Sequence, residues 1–188
     1  MHNPELSLES VVQRLDDLEK RYHSLKSEVV TEKLVLVDSA SEPRAALYTI
    51  NEEPSLTFYD ETGNARAQLV ASAQGTCLRL LNSSGQSVAE LMEDKDGPRM
   101  ALFDPDGNNR VSLCVRENGS FAYLFGPDGK QHLRLELFSA GGAALNMKDN
   151  RGEPSVVLAT DNERGPIVAF FKDDDVVWSI PKVDSSSS

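Results

Sequence analysis

The sequence predicts a mainly β protein in which an N-terminal parallel coiled-coil helix is followed by a meander of seven two-stranded β-hairpin repeats. Near the N-terminus, apolar residues alternate at spacings of three and four, which is typical of a coiled coil. The remainder of the chain repeats itself every 22 or 23 residues, and each repeat carries turn-forming residues at fixed places. These patterns divide the chain into a helical segment (5–30), a repeat array (33–181) and a serine-rich tail (182–188) that we expect to be flexible.

The helical segment has an apolar residue at every seam position. Pro4, Glu5 and Ser7 supply start signals for the helix. A helix of about three heptads is marginal alone in water, so the seam must be buried. The seam predicts a parallel interface between helices of identical chains. The alternative is that the helix packs on its own chain. The predicted interface residues are Leu8, Val11, Leu15, Leu18, Tyr22, Leu25 and Val29.

Each repeat contains two predicted turns. In the first, Asp or Asn precedes Gly by three residues, as in the segment Asp104–Gly107, where Pro105 sets φ for a type I turn and the glycine takes the left-handed position. The second turn is marked by Gly75, Gly97, Gly119, Gly141 and Gly165. The repeats themselves begin at Leu34, Leu56, Leu78, Met100, Ala122, Leu145 and Val168.

The strands between these turns are apolar on both faces. Returning strands alternate, as Ala67 and Leu69 show, and place a Leu/Ala/Val set on one face. The opposite face of the first strand is also frequently apolar, at Val37, Tyr59, Leu81, Phe103, Phe125 and Phe171. A single hairpin layer of this kind is unstable in water. It could close into a barrel, fold into a two-layer sandwich, or pack against identical chains as an intertwined trimeric β-prism or β-spiral-like assembly.

The trimeric arrangement is favoured because a parallel helix directly before the array aligns identical chains. The last repeat departs from the pattern. Asp173, Asp174 and Asp175 crowd its turn, and the closing segment 176–181 holds the only Trp. We interpret this repeat as a cap, since terminal repeats lack a covering neighbour.

Composition excludes several classes of partner. A net charge of -11 disfavours nucleic acid and anionic membrane surfaces. The chain shows neither a leader sequence nor an apolar stretch of membrane-spanning length, so a cytoplasmic location is expected, with association with a particle as a further possibility. Cys77 and Cys114 are expected to be small packing residues rather than a disulfide or metal ligands.

No pattern of residues indicates catalysis, so no enzyme activity, cofactor or metal site is predicted. Asp104, Asp106 and Asn108 alternate like the first ligands of a calcium loop, but the later bidentate Glu is missing. The histidines at positions 2, 23 and 132 share no predicted site.

The pattern Leu-x-Leu-x-Asp-x-x-Gly-x-x-Arg-x-x-Leu, followed from Leu56 to Leu69 with Phe58 at its second Leu position and from Met100 to Leu113 with Met at its first, resembles repeats of uncharacterised bacterial proteins that end in a Trp-Ser-x-Pro-like closure. The resemblance covers residues 33–181 and implies a bacterial or phage source and no assigned activity. A helical trimeriser followed by β-repeats is also similar, in architecture alone, to trimeric fibre shafts.

The sequence therefore predicts a non-enzymatic structural or scaffolding protein that assembles with itself, most simply as a rod-like homotrimer. The alternative is a binding module whose repeat face holds a saccharide, peptide or protein. The residues predicted for that partner-binding face are Arg44, Arg66, Arg110, Tyr59, Phe103 and Tyr123.

Overall fold

The computed structural model describes residues 8–27, 30–161, 165–173 and 175–181. The chain divides into two compact units, residues 1–34 and 35–188. The first contains helix α1 (Leu8–Ser27). The predicted start signals, residues 28–29 of the helical segment and the tail 182–188 lie outside the described residues, and Val30 is not helical.

Fourteen strands follow in chain order and form one sheet in which each strand lies beside its sequence neighbours. Strands β1 and β14 are the two outer strands, so the sheet is open and does not close into a barrel. This confirms the hairpin meander. The strands are β1 (Lys33–Val37), β2 (Pro43–Ile50), β3 (Glu53–Tyr59), β4 (Ala65–Ser72), β5 (Gly75–Leu81), β6 (Ser87–Asp94), β7 (Gly97–Phe103), β8 (Asn109–Arg116), β9 (Gly119–Phe125), β10 (Gln131–Phe138), β11 (Ala143–Lys148), β12 (Pro154–Asp161), β13 (Gly165–Lys172) and β14 (Asp175–Ile180).

The turns after odd-numbered strands lie along one side of the sheet, which we call the Asp edge. In a representative turn, Asp60 Oδ1 accepts the backbone N–H groups of Thr62 at 2.9 Å and Asn64 at 3.0 Å. Gly63 donates its N–H to the Asp60 carbonyl at 3.1 Å. Its φ is 82°, a left-handed conformation that glycine adopts without strain. The predicted turn chemistry is thus confirmed. The Asp60 carboxylate, rather than water, accepts the exposed backbone N–H groups of the turn.

The turns after even-numbered strands lie along the opposite side, which we call the Gly edge. Here glycine is needed because backbones approach closely. A Cβ added at Gly75 would lie 1.9 Å from the Glu93 carbonyl oxygen, and one at Gly119 would lie 2.1 Å from that of Leu137. At β5 and β9 the predicted second turn therefore begins its outgoing strand on a glycine for a steric reason, whereas a Cβ added at Gly165, the first residue of β13, would meet nothing within 4 Å.

The last hairpin differs from the others, as its sequence predicts. Lys172 pairs directly with Asp175, and Asp173 takes a φ of 51°. Asp174 lies outside the described residues. The connection is therefore shorter than the other Asp-edge turns, and the role of this hairpin as a cap stays a prediction.

Candidate assembly surface

One face of the sheet carries an unbroken central row of apolar side chains. Because residues directly opposite each other in antiparallel strands point to the same side, the pairing register places one member of this row on every strand from β2 to β14. The row consists of Leu47, Leu56, Leu69, Leu78, Leu91, Met100, Leu113, Ala122, Leu135, Leu145, Leu158, Val168 and Ile180.

A second apolar row runs beside the first, on the side nearer the Asp edge. In its first half, large residues on the outgoing strands alternate with alanines on the returning strands. We call the two rows together the Leu face. The second row consists of Ala45, Phe58, Ala67, Leu80, Ala89, Leu102, Val111, Leu124, Leu133, Met147, Val156, Phe170 and Trp178.

The Leu face is open to solvent in the single chain. Most of its large side chains are exposed, and within the described residues no second layer covers them. Contiguous apolar surfaces of this extent are typical of interaction sites.

The opposite face, which we call the mixed face, is covered by its own side chains. Thr57 is only 1% exposed, and the Tyr48 hydroxyl lies 3.2 Å from its Oγ1. Arg134 lies over the rings of Phe121 and Tyr123, which stack with centroids 5.9 Å apart. Long side chains lying flat over small ones thus bury this face within one chain, although it holds more polar residues than the Leu face.

A buried carboxylate on the mixed face is paired. Glu136 is 5% exposed; its Oε2 forms an ion pair with Arg134 Nη2 at 2.7 Å, and its Oε1 accepts a hydrogen bond from Asn146 Nδ2 at 3.1 Å. Burial raises the pKa of the neighbouring Tyr123 hydroxyl. The charge of Glu136 is therefore compensated inside the chain.

The cysteines also lie on the mixed face. Burial raises the pKa of the Cys77 thiol, and Cys77 and Cys114 are both free. Three strand spacings, about 14 Å, separate them in one row. That is too far for a disulfide.

Helix α1 presents the predicted seam as a second exposed apolar stripe. Leu8, Val11, Leu15, Leu18 and Tyr22 are all exposed. Leu25 lies in the helix but its side chain is not described, and Val29 lies outside the described residues. The stripe therefore has the heptad spacing of a coiled-coil interface along the described part of α1.

The repeat position that usually holds Arg has a structural task that sequence reasoning missed. Arg44 donates from Nε to Asp38 Oδ2 in its own turn at 2.9 Å and from Nη1 to the Asp60 carbonyl in the next turn at 2.7 Å. Arg66 likewise reaches Asp60 Oδ2 and the Leu81 carbonyl. The side chain thus braces one hairpin against the next along the Asp edge.

Where Arg is absent, other residues make equivalent braces. The ring nitrogens of His132 lie 3.2 Å from Asp128 Oδ1 and 3.4 Å from the Lys148 carbonyl oxygen. Arg151 contacts Asp149 in its own turn and Asp173 in the next. His132 and Arg151 therefore compensate for the loss of Arg at positions 132 and 155. The spacing of residues along the sequence does not reveal this compensation.

The residues predicted as a partner-binding face do not form one cluster. Arg44, Arg66 and Arg110 hold turn carboxylates at the Asp edge. Tyr59 and Phe103 lie on strands four spacings apart, about 19 Å. Tyr123 is stacked on Phe121 beneath Arg134. The binding-module function stays a prediction, without a common pocket to support it.

Exchanging residues at the bracing position should alter stability in opposite directions. Arg66→Val removes the hydrogen bond to the Leu81 carbonyl, and we expect a loss of about 1 kcal/mol. Val88→Arg places a cation between the turns that begin at Asn82 and Asp104, and a gain of up to about 1 kcal/mol is expected. Urea unfolding measures both, and an unchanged midpoint for Arg66→Val would show that the brace is not stabilising.

The turn carboxylates should make the array sensitive to acid. The Thr62 hydroxyl and the surrounding backbone N–H groups lower the pKa of Asp60 from 3.8 to about 2. Backbone N–H groups also lower the pKa values of Asp38, Asp104, Asp128 and Asp149. A depressed folded-state pKa contributes stability that is present above the unfolded value of 3.8 and is lost as the pH falls towards 2.

We therefore expect the free energy of unfolding to decline steeply between those two pH values. Carboxyl-carbon NMR should show Asp60 titrating near 2. Asp60→Asn keeps an acceptor oxygen at the turn and should flatten the acid dependence. An Asp60 that titrates at its ordinary value would contradict the assignment of these hydrogen bonds.

Asp104, the first ligand of the calcium alternative, is already hydrogen-bonded within its own hairpin. Both carboxylate oxygens of Asp104 are engaged, Oδ1 by the backbone of Asp106 and Asn108 and Oδ2 by Arg110 Nε at 2.7 Å. In the part of the chain that the structure describes, no group of three or more His, Cys, Asp or Glu side chains is placed to hold a metal ion.

No protein-family model matches the chain, and no curated protein matches it significantly. Among the described residues, no helix is both long and apolar enough to cross a membrane.

Proposed function

We propose that this chain is a structural protein that assembles as a parallel homotrimer, in which the Leu faces of three copies cover one another. The observation that carries the proposal is the contrast between the two faces of the sheet. The mixed face is closed by its own side chains, whereas the Leu face presents apolar residues on every strand from β2 to β14 without cover. Burial between copies removes that surface from water.

The energetics favour association. Complete burial of a large apolar side chain is worth about 1.5–3 kcal/mol. The loss of translational and rotational freedom costs about 4–15 kcal/mol for each association. Because the Leu face extends over so many strands, burial of even a part of it outweighs this cost. Interfaces of this apolar character are typical of obligate homo-oligomers.

A second copy fits the Leu face better than an unrelated protein does. The face repeats with the hairpin period of the chain, and the same polypeptide supplies a surface of equal length and period. Its α1 seam offers a further self-complementary contact. Only residues 28–32 separate α1 from β1, so a parallel coiled coil would start the sheets of all copies at the same level.

The number three is supported by the sheets rather than by the α1 seam. Val11 occupies one d position of the seam and Leu18 and Leu25 occupy the next two, so the seam does not select an oligomer number. Three inward-facing sheets form a closed prism around one axis, which leaves each copy in an equivalent environment.

Sedimentation equilibrium of the full-length protein tests the proposal directly. The expected mass is three times the 20.6 kDa chain, unchanged over a wide range of protein concentration. A monomer would overturn self-assembly, and a stable dimer would overturn the three-fold arrangement. Binding of the apolar dye ANS should be weak if the Leu faces are covered and strong if they remain open.

A further inference from the structure

Two open hollows lie along the Gly edge between successive turns. The first has a volume of about 680 Å³ and is lined by Lys95, Asp96, Arg116, Glu117, Asn118 and Ser139. The second, of about 640 Å³, lies one turn earlier, between segments 72–76 and 93–96. Residues of neighbouring Gly-edge turns line both hollows.

The Asp-edge turns lie along the opposite edge of the sheet. Their level, meaning their position along the apolar rows, matches that of the hollows. The turn Asp104–Gly107 joins β7 to β8, whereas the Gly-edge turns at 95–96 and 117–118 join β6 to β7 and β8 to β9. Strands are spaced about 4.8 Å apart, so the Asp-edge turn lies midway in level between those two Gly-edge turns. Residues of both of these Gly-edge turns line the first hollow, which also extends to Ser139 in the turn between β10 and β11, so the Asp-edge turn lies at the level of one end of the hollow.

Rotational symmetry decides which edges meet. Suppose that the copies are related by rotation about an axis parallel to the apolar rows. All copies then face the same way round the axis, so the Asp edge of each copy meets the Gly edge of the next. A closed rotation also involves no translation along the axis. Turns at a given level therefore face the neighbour's hollow at that level.

We infer that the Asp104–Gly107 turn of one copy seats in the first Gly-edge hollow of the adjacent copy, so that the hairpin ends interlock between chains. The inference rests on the proposed trimer and assigns its lateral contact. Asp106 and Lys95 are both exposed in the single chain, and the interlock brings their opposite charges together. Asp96 and Glu117 also line the hollow, and Arg116 Nη1 donates to the carbonyls of Asp96 and Gly97 at 2.8 Å.

Disulfide trapping tests this contact in the full-length chain. Cysteines are introduced as Asp106→Cys and Lys95→Cys, with Cys77→Ser and Cys114→Ser removing the native thiols. Within one chain the two positions lie at opposite ends of a seven-residue strand, β7, about 23 Å apart. A disulfide needs Cα atoms within about 7 Å, so a bond can form only between copies. Mild oxidation should give a covalent trimer on a non-reducing gel.

The matched control moves one cysteine by a single repeat. Gln74 lies two strand spacings beyond Lys95, so Asp106→Cys combined with Gln74→Cys offsets the two levels by three strand spacings, about 14 Å, and should cross-link at least tenfold more slowly. The protein could be a trimer under reducing conditions and yet give no disulfide through position 95, or form one through position 74 equally fast. Either result would overturn the interlock and leave the proposed function intact. A monomer under reducing conditions would overturn both.

A charge exchange gives a second readout that needs no cysteine. Lys95→Asp should raise the trimer dissociation constant roughly tenfold, since each of three interfaces loses an exposed ion pair. Lys95→Asp together with Asp106→Lys should recover most of that loss. An equal effect of the single and double variants would show that these side chains do not meet.

Discussion

Replacing Leu91 with glutamate is expected to abolish assembly. Leu91 is 55% exposed in the single chain and lies in the central row, on the sixth of the fourteen strands. The middle of each side of a three-sided prism is the part nearest the axis, so the central rows of three copies meet there. Leu91→Glu would bury three carboxylates side by side without partners. An uncompensated buried charge costs about 3–5 kcal/mol, so the trimer dissociation constant should rise at least about 1,000-fold.

The control for this prediction is Ile50→Glu. Ile50 is 49% exposed, a fraction similar to that of Leu91. It lies outside the Leu face, where it pairs with Glu53 beside the Gly-edge turn between β2 and β3. In a monomer the two substitutions should be equally harmless, because both place a charge on an already exposed site. Sedimentation of both variants distinguishes the cases. If Leu91→Glu keeps the mass of the parent protein, the Leu face is not the interface.

Two glutamates in the α1 seam should weaken assembly without unfolding the sheet. Leu15 and Leu18 are 54% and 60% exposed, and they occupy successive seam positions. Without the coiled coil, each sheet must find its partners by free diffusion rather than from a tethered neighbour. Loss of such a tether lowers the effective concentration, and the apparent affinity is expected to fall by about 10²–10⁴-fold. Dilution monitored by fluorescence anisotropy measures the change.

Gln13 provides the control on the same helix. It is exposed and lies at position f, on the side of the helix away from the seam, so Gln13→Glu should leave the dissociation midpoint unchanged. If Gln13→Glu and the Leu15/Leu18 double variant weaken assembly equally, the helix acts through general charge rather than through its seam. If neither has an effect, the sheets assemble without help from α1.

The sequence predicted the strands and turns well because these depend on local chemistry. The Asp-to-Gly spacing that defines Asp60 and Gly63 fixes both the cap and the left-handed residue of the turn. Glycines such as Gly75 marked the second turn for a steric reason that acts between adjacent strands. The sequence also placed the Leu/Ala/Val set on one face, because side chains in a strand alternate with a period of two.

The roles of the arginines were harder to predict. Arg44 and Arg66 suggested a ligand surface, since exposed cations beside aromatic residues often bind partners. In the folded chain each reaches the turn of the following hairpin, some sixteen residues away. His132 takes the same role with a different side chain. Such contacts depend on how far one hairpin lies from the next, and sequence spacing does not contain that distance.

The sequence by itself determined a helix with a heptad seam, the hairpin period, the turn chemistry and the alternation of the strands. All of these follow from residues close together in the chain. Only the tertiary structure decided that the sheet stays open, that both apolar rows run unbroken across it, and that the mixed face is closed by its own Arg, Tyr and Glu side chains. These features depend on register between strands and on side chains meeting across them. That register is set by the turns that join each strand to the next.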